Sequence, residues 1–235
     1  MSWLAVLFIV GGFGAMVRIL FAPEVRACFE RDPAARNTLE VLLTASGLHA
    51  IVCHRIAHSL ERWHVPVLPR VLMTIARWVT GVEIHPAATI GRGLFIDHGM
   101  GVVIGETAVI GDNVTLFQGV TLGGTGKEKG KRHPTIGKQV VIGTGAKVLG
   151  NITIGEGALI GANAVVIRDV PAHSTVVGVP GRIVRTKDRH FLGINLDHTH
   201  LPDPITERLE KLQHEIDVLE QHLKEHRKPP STSQP

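Results

Sequence analysis

Between Ile136 and Val166 the sequence reads IGKQVV-IGTGAK-VLGNIT-IGEGAL-IGANAV-V, with an aliphatic residue at every sixth position. Glycine follows most of these aliphatic residues, and a small or β-branched residue stands four positions after them. A period of six fits neither an amphipathic helix nor the alternation of a single strand. It is typical of a parallel β-helix, in which each hexad forms one flat side of a coil and the aliphatic side chains stack inside.

The same repeat begins further upstream, with an aliphatic residue at Ile84, Ile90, Ile96, Ile104, Ile110, Leu116 and Leu122. It is interrupted by a short insertion near Gly101–Val103 and by a longer one, loop 123–135, which contains GGTGKEKGKRHP. A solenoid accepts insertions as loops that leave at a corner, and such loops often carry function. We therefore predict a β-helix domain over residues 82–184 with one functional loop.

Other patterns flank the repeat on both sides. Residues 23–81 have aliphatic residues at helical spacing, and Asp32 before Pro33 fits a helix N-cap. Residues 185–204 have no period and fit a linker, and residues 228–235 have the composition of a disordered tail. Within 205–227 apolar residues alternate steps of four and three, which predicts a short coiled-coil helix: Ile205, Leu209, Leu212, Ile216, Leu219 and Leu223.

The N-terminal segment, residues 1–22, is apolar and allows three interpretations. Trp3 to Val17 carries no charge, but glycines interrupt it and Arg18 ends it. The uncharged stretch is short for a membrane span, and the segment lacks the basic start and cleavage site of a signal peptide. A packed or oligomer-facing helix, a membrane-associated segment and an over-extended start remain open, within a protein that we expect to be cytoplasmic.

The composition narrows the class of protein. The chain has 235 residues, of which 44% are hydrophobic and 20% charged, which excludes a disordered chain. Its net charge is +4, and the basic residues are spread along the sequence, so nucleic acid is not expected as a partner. Two cysteines, Cys28 and Cys53, are too few for a disulfide framework and fit buried small hydrophobic residues.

Asp97 and His98 stand where the repeat otherwise has small residues. Glu83 precedes them by less than one coil, and neighbouring coils lie about 4.8 Å apart, so we expect Glu83 to reach His98. A carboxylate beside a histidine fixes its tautomer and improves it as a general base. A solvated histidine at a coil corner, without a role, is the alternative.

Loop 123–135 is the second candidate. Gly123, Gly124 and Thr125 offer backbone N–H groups to an anion, and Arg132 and His133 stand at the loop's base before a proline. The alternative is a mobile, solvated loop, since the loop lacks the spacing of a nucleotide-binding fingerprint. His54 and His58 are spaced to share a helix face, where packing is a better explanation than metal binding because no HExxH motif is present.

Several motifs together resemble one known family. RDPAARNTLEVLL, SGLHAIVCHRIAH, EIHPAATIGRGLFIDHGMGVVIGETAVIG, VTLGGTGKEKGKRHPTIG and GVPGRIV are similar to the serine O-acetyltransferases, in their shorter bacterial form. The resemblance covers about residues 24–186. It implies a left-handed β-helix, assembled as a homotrimer with active sites between subunits, that acetylates L-serine from acetyl-CoA in the first step of cysteine biosynthesis and is inhibited by cysteine.

The resemblance also implies roles for individual residues. His98 matches the general base and Glu83 its carboxylate partner. Asp32 and Asp97 match the carboxylates that hold the serine amino group, while Arg132 and His133 face its carboxylate and hydroxyl. Coenzyme A contacts are implied at Gly123, Gly124, Thr125, Thr144, Ala162 and Arg182, with no metal and no tightly bound cofactor.

Some features fall outside this resemblance. The chain ends in Ser-Gln-Pro rather than the isoleucine that inserts into cysteine synthase, so the resemblance does not extend to that complex. The coiled coil can reinforce the trimer or pair two trimers. Three other functions compete with serine acetylation: acetylation of another amino alcohol such as homoserine, a zinc lyase with His85, His98 and His133 as ligands, and a non-catalytic scaffold.

Overall fold

The computed structural model describes residues 21–126, 129–186 and 204–226. The chain divides into two compact units, residues 1–201 and residues 202–235. Nearly all of the apolar segment 1–22 and of the linker 185–204, and the tail 228–235, lie outside the described residues, so the predictions for them are not addressed.

The first unit is built around a left-handed parallel β-helix, which confirms the fold class predicted from the repeat. Its strands are short and lie on three sides of the coil. They are β1 Glu83–Ile84, β2 Thr89–Ile90, β3 Phe95–Ile96, β4 Val103–Ile104, β5 Val109–Ile110, β6 Thr115–Leu116, β7 Thr121–Gly123, β8 Thr135–Ile136, β9 Val141–Ile142, β10 Lys147–Leu149, β11 Thr153–Ile154, β12 Leu159–Ile160, β13 Val165–Val166, β14 Ser174–Val177 and β15 Arg182–Thr186.

Each side of the coil is a sheet of strands taken from successive coils. Side A has the order β1-β4-β7-β10-β13, side B has β2-β5-β8-β11, and side C has β3-β6-β9-β12-β14-β15. All neighbours pair in parallel except β14 and β15, which form an antiparallel pair at the end of side C. The chain therefore passes from side A to B to C once per coil.

The repeated aliphatic residues form ladders inside the coil. On side A, for example, Ile84 pairs with Ile104, Ile104 with Leu122, and Leu122 with Val148. None of the repeat positions from Ile84 to Val166 is more than 6% exposed. Burial of branched aliphatic side chains contributes roughly 1.5–3 kcal/mol each, so these ladders are the main source of the fold's stability.

The two interruptions of the repeat fall at two different corners. The turn of residues 97–102 joins side C to side A and is called the C–A corner. Residues 105–108 and the loop 124–134 join side A to side B and are called the A–B corner. The loop leaves and returns without disturbing the coil, because β8 pairs in register with β5.

A helical region precedes the coil. It consists of α1 Ala22–Arg31, α2 Thr38–Thr44, α3 Ser46–Arg62 and α4 Leu68–Thr80. Arg31 Nη1 donates to the carbonyl oxygen of Gly93 at 3.2 Å, and His54 Nε2 lies 3.1 Å from that of Ala88. These carbonyls belong to the first coil, whose outer edge has no further coil to pair with. The helices therefore cap an edge that would otherwise be open to other chains.

The start of this region differs from the sequence-based prediction. Asp32 is not a helix N-cap: it is the C-cap of α1, and its Oδ1 accepts a hydrogen bond from the Ala34 N–H at 2.8 Å in the following turn. The next helix is capped by Asn37, whose side chain accepts from the Glu40 N–H at 2.9 Å. Proline after an aspartate fits a turn as well as a helix start, and here the turn forms.

The second unit contains one helix, α5 Pro204–His226. Of its apolar heptad residues with described side chains, Leu209, Leu212, Ile216 and Leu219 are exposed. No single described helix is long and apolar enough to cross a membrane, and the pair α2 and α3 meets the length and hydropathy test only across a 69° bend.

His54 gives the fold a pH dependence that can be measured. Burial, followed by the neighbouring His58 and Arg55, lowers the pKa of His54 from 6.5 to about 3. Above pH 6.5 both folded and unfolded chains hold this ring neutral; below it, only the unfolded chain takes up the proton. As the pH is lowered from about 6 to about 4, we expect His54 to reduce the free energy of unfolding by about 1.4 kcal/mol per pH unit.

His54→Gln, which keeps a donor for the Ala88 carbonyl, should flatten this pH dependence in urea unfolding experiments. His214→Gln changes an exposed histidine of α5 and serves as the control. An equal pH slope in wild type and His54→Gln would show that His54 does not stay neutral in the folded chain.

Candidate functional site

His98 lies at the C–A corner and is presented to solvent. Its backbone has a φ of 59°, which is uncommon for a residue with a side chain. The imidazole is 72% exposed, and its Nε2 lies 4.0 Å from Asp97 Oδ1. Backbone in this conformation is retained when surrounding structure holds it, and here the following Gly99 and Gly101, also at positive φ, complete the turn. The corner thus projects the His98 ring outward, beside the partly buried carboxylate of Asp97.

Asp32 belongs to the same part of the molecule. Burial, followed by the Asp32 carboxylate, raises the pKa of the Cys28 thiol to about 11, and Asp97 acts in the same direction. Both carboxylates therefore lie near Cys28, although they are far apart in sequence. The turn after α1 and the C–A corner therefore each place a carboxylate near Cys28.

Arg132 and His133 lie at the other corner, in a cleft of about 480 Å³. Charged and polar residues from α4, side A and the A–B corner line this cleft together with Gly123 and Gly124: Arg70, Thr74, Arg77, Glu83, His85, Glu106, Arg132 and His133. Arginines outnumber carboxylates among them, so the cleft suits an anionic group. The sequence predicted Arg132 and His133 but missed the arginines of α4 and Glu106.

The electrostatics of this cleft keep its imidazoles neutral. Burial, followed by the Arg132 guanidinium, lowers the pKa of His133, and burial followed by Arg70 lowers that of His85. Arg132 Nη2 makes an ion pair with Glu106, and this hydrogen bond lowers the pKa of the Glu106 carboxyl. Among the described residues the cleft therefore holds two ion pairs, Arg132–Glu106 and Arg77–Glu83, beside two rings whose surroundings favour the neutral form.

Glu83 does not contact His98, contrary to the expectation from spacing. Its carboxylate accepts from Arg77 Nη1 at 2.9 Å, and within the described residues no hydrogen bond or ion pair joins it to His98. Arg77 lies in the last turn of α4, and Gly81 ends that helix in a left-handed conformation that brings the chain straight into β1. A stacking distance between coils does not specify the corner to which a side chain points.

The residues implied for coenzyme A fall into two groups. The register of side C places Thr144 and Ala162 on the turns stacked in line with His98, two and three coils further along. Three coil spacings correspond to about 14 Å. Gly123, Gly124 and Thr125 instead begin the loop at the A–B corner, and Arg182 lies exposed on β15.

A zinc site made by His85, His98 and His133 is not formed within the chain, because His98 lies at a different corner from the other two. Among the residues that the structure describes, no group of three or more histidine, cysteine or acidic side chains is placed to hold a metal ion. His54 and His58 use ring nitrogens on the carbonyls of Ala88 and Pro86, at 3.1 and 2.8 Å.

Comparisons with known proteins agree with the fold. The family described as bacterial transferase hexapeptide (six repeats) matches residues 133–168. The serine acetyltransferase of Bacillus pumilus is 60% identical over 200 residues, which are 85% of this chain and 92% of the relative.

Solved structures of the same kind are also similar. The serine acetyltransferase of Neisseria gonorrhoeae in complex with serine has a TM-score of 0.69 and 47% identity, covering 73% of this chain and 70% of the other. A serine acetyltransferase complexed with CoA has a TM-score of 0.67 and 45% identity, covering 72% and 69%. With this identity over most of both sequences, the chain belongs to the serine acetyltransferase family.

Proposed function

We propose that this chain transfers the acetyl group of acetyl-CoA to the hydroxyl of L-serine, which gives O-acetylserine and CoA in the first step of cysteine biosynthesis. The observation that carries the residue-level proposal is the outward projection of His98 beside Asp97, in line with the stacked turns at Thr144 and Ala162. A base and a track for the acyl donor thus share one corner of the coil.

His98 is proposed as the general base. Its neutral imidazole takes the proton of the serine hydroxyl while that oxygen attacks the thioester carbon. The tetrahedral intermediate then collapses, the carbon–sulfur bond breaks, and the leaving sulfur takes the proton back from the imidazolium. A positioned base of this kind contributes about 10²–10⁴ in rate.

Serine is a zwitterion, and the two corners carry complementary charge. Asp32 and Asp97 are proposed to hold its ammonium group, and Arg132 and His133 to hold its carboxylate and hydroxyl. Arginine and carboxylate form paired, directional hydrogen bonds, which fixes the orientation of the substrate. Cysteine has the same ammonium and carboxylate groups, so it is expected to bind in the same place and inhibit.

The two corners lie on different edges of one coil, so one chain alone does not assemble the whole site. We propose a homotrimer in which the C–A corner of one copy meets the A–B corner of the next. In that arrangement Glu83, which lines the same cleft as His133, can pair with the His98 of the neighbouring copy. The heptads of α5 are proposed to strengthen this assembly.

Acetyl-CoA is proposed to lie along the stacked turns from His98 toward the end of the coil. Backbone groups near Thr144 and Ala162 would contact its pantetheine arm, and Arg182 would lie toward its phosphates. The loop residues Gly123, Gly124 and Thr125 would close over the thioester from the neighbouring copy.

The activity is tested by the release of free thiol from acetyl-CoA, with L-serine, homoserine, threonine or no acceptor in parallel. We expect release with serine alone, suppressed by cysteine. Absence of release with every acceptor, or faster release with homoserine, would contradict the proposed substrate.

The role of His98 is tested by His98→Ala. We expect turnover to fall at least about a hundredfold because the serine hydroxyl loses its proton acceptor. Circular dichroism and the oligomeric state should match the wild type, since the ring is exposed. A folded variant with nearly full turnover would rule out the general-base assignment.

The shared site is tested by mixing two defective variants. His98→Ala damages only the C–A corner and Arg132→Ala only the A–B corner, so a mixed trimer contains some interfaces with neither change. We expect about a quarter of the sites, and of kcat/KM for serine, to be restored when the two are reassembled together. Reassembly of each variant with itself is the control, and no recovery in the mixture would place the whole site within one chain.

A further inference from the structure

Thr107 makes an unusual number of contacts with the base of the loop at the A–B corner. Its Oγ1 accepts hydrogen bonds from the backbone N–H groups of Arg132 and His133, at 3.0 and 3.1 Å. The same oxygen lies 2.9 Å from His133 Nδ1, and the backbone N–H of Thr107 donates to that nitrogen at 3.2 Å. Lys131 Nζ donates to the Thr107 carbonyl oxygen at 2.6 Å.

These contacts determine where the proton of His133 is. A hydroxyl has one proton to donate and two lone pairs that accept. The lone pairs of Thr107 Oγ1 are used by two backbone N–H groups, so its proton is directed to His133 Nδ1. The Thr107 N–H also donates to Nδ1, so this nitrogen accepts two hydrogen bonds and cannot carry a proton itself. In the neutral ring the proton is therefore on Nε2.

The surroundings of the ring keep it neutral and leave Nε2 available. Burial and the Arg132 guanidinium oppose a positive charge on His133. The ring lies against Gly105, where an added Cβ would come within 2.0 Å of Nε2, and beside Gly124, where it would come within 3.0 Å. Among the described residues Nε2 has no hydrogen-bond partner, and His133 lines the cleft.

We propose that Thr107 is a positioning residue that holds His133 as a neutral imidazole with its proton on Nε2, so that His133 donates a hydrogen bond to an oxygen of the bound substrate. This inference rests on the proposed function, and it assigns different roles to His98 and His133. His98 accepts a proton in the reaction, whereas His133 is a fixed donor that does not.

The proposal also explains the tripeptide Gly105-Glu106-Thr107. Gly105 leaves room for the His133 ring, Glu106 pairs with Arg132, and Thr107 fixes the tautomer of His133. A single turn between β4 and β5 therefore orients both substrate-facing residues that the loop supplies.

The tautomer is measured first, without substrate, by ¹⁵N NMR on enzyme labelled at histidine, with His133→Gln used to assign the signals. We expect wild-type His133 at about pH 7.5 to show a protonated Nε2 and an unprotonated Nδ1. A proton on Nδ1, or on both nitrogens, would overturn the proposal whether or not the enzyme acetylates serine.

Thr107→Val removes the hydroxyl with little change in shape, and Thr107→Ser keeps it. Thr107→Val loses one of the two donors to Nδ1 and keeps the backbone N–H, so we expect a larger share of the Nδ1-protonated tautomer at His133 and a kcat/KM for serine lowered about tenfold or more, while Thr107→Ser stays close to wild type in both. The fall should have the same size at every pH at which the wild type is active, because a lost donor does not shift the pH profile of the base.

Two results would contradict the role of Thr107. One is a Thr107→Val variant with a single tautomer and wild-type kcat/KM. The other is a Thr107→Ser variant that loses as much as Thr107→Val, since that loss would come from packing of the methyl group. Wild-type activity with serine, measured in the same assay, separates either result from a failure of the proposed function.

Discussion

The stacking of aliphatic side chains inside the coil sets the positions of the corner residues on which the candidate site depends. Each ladder holds successive strands at about one strand spacing, so a residue at a corner keeps the same place relative to the corner above and below it. His98, Thr144 and Ala162 are aligned for this reason, although they are separated by many residues. The site needs no dedicated scaffold, because the core itself sets the spacing of its parts.

The fold could be predicted from the sequence because its signal is repeated. Each hexad predicts the same inward-facing position, so one atypical residue does not obscure the period of six. The functional residues are single exceptions to the repeat, so the sequence identifies His98, Arg132 and His133 as exceptions without saying what they touch. Glu83 is the clearest case: it precedes His98 by less than one coil and pairs with Val103 in the next coil, and its side chain turns toward Arg77.

Other details were missed because they depend on contacts between distant segments. Asp32 before Pro33 has the local features of a helix start, yet tertiary packing ends α1 there and forms a turn. Glu106 and Thr107 have the sequence of an ordinary turn, and their roles depend on contacts with Arg132 and His133, more than twenty residues later. Two polar residues in a turn are common in this repeat, as at Asp112-Asn113 and Lys138-Gln139, so no local signal distinguishes Glu106 and Thr107.

The loop between β7 and β8 begins and ends at positions that the coil would occupy without it, since β8 continues the register of β5. Its length is therefore uncoupled from the packing of the core. The outer part of this loop can therefore be exchanged while Thr107 still accepts hydrogen bonds from the backbone at the loop's base. The architecture separates the hydrogen-bonded base of the loop from its outer part, so a change in the outer part leaves the packing of the coil intact.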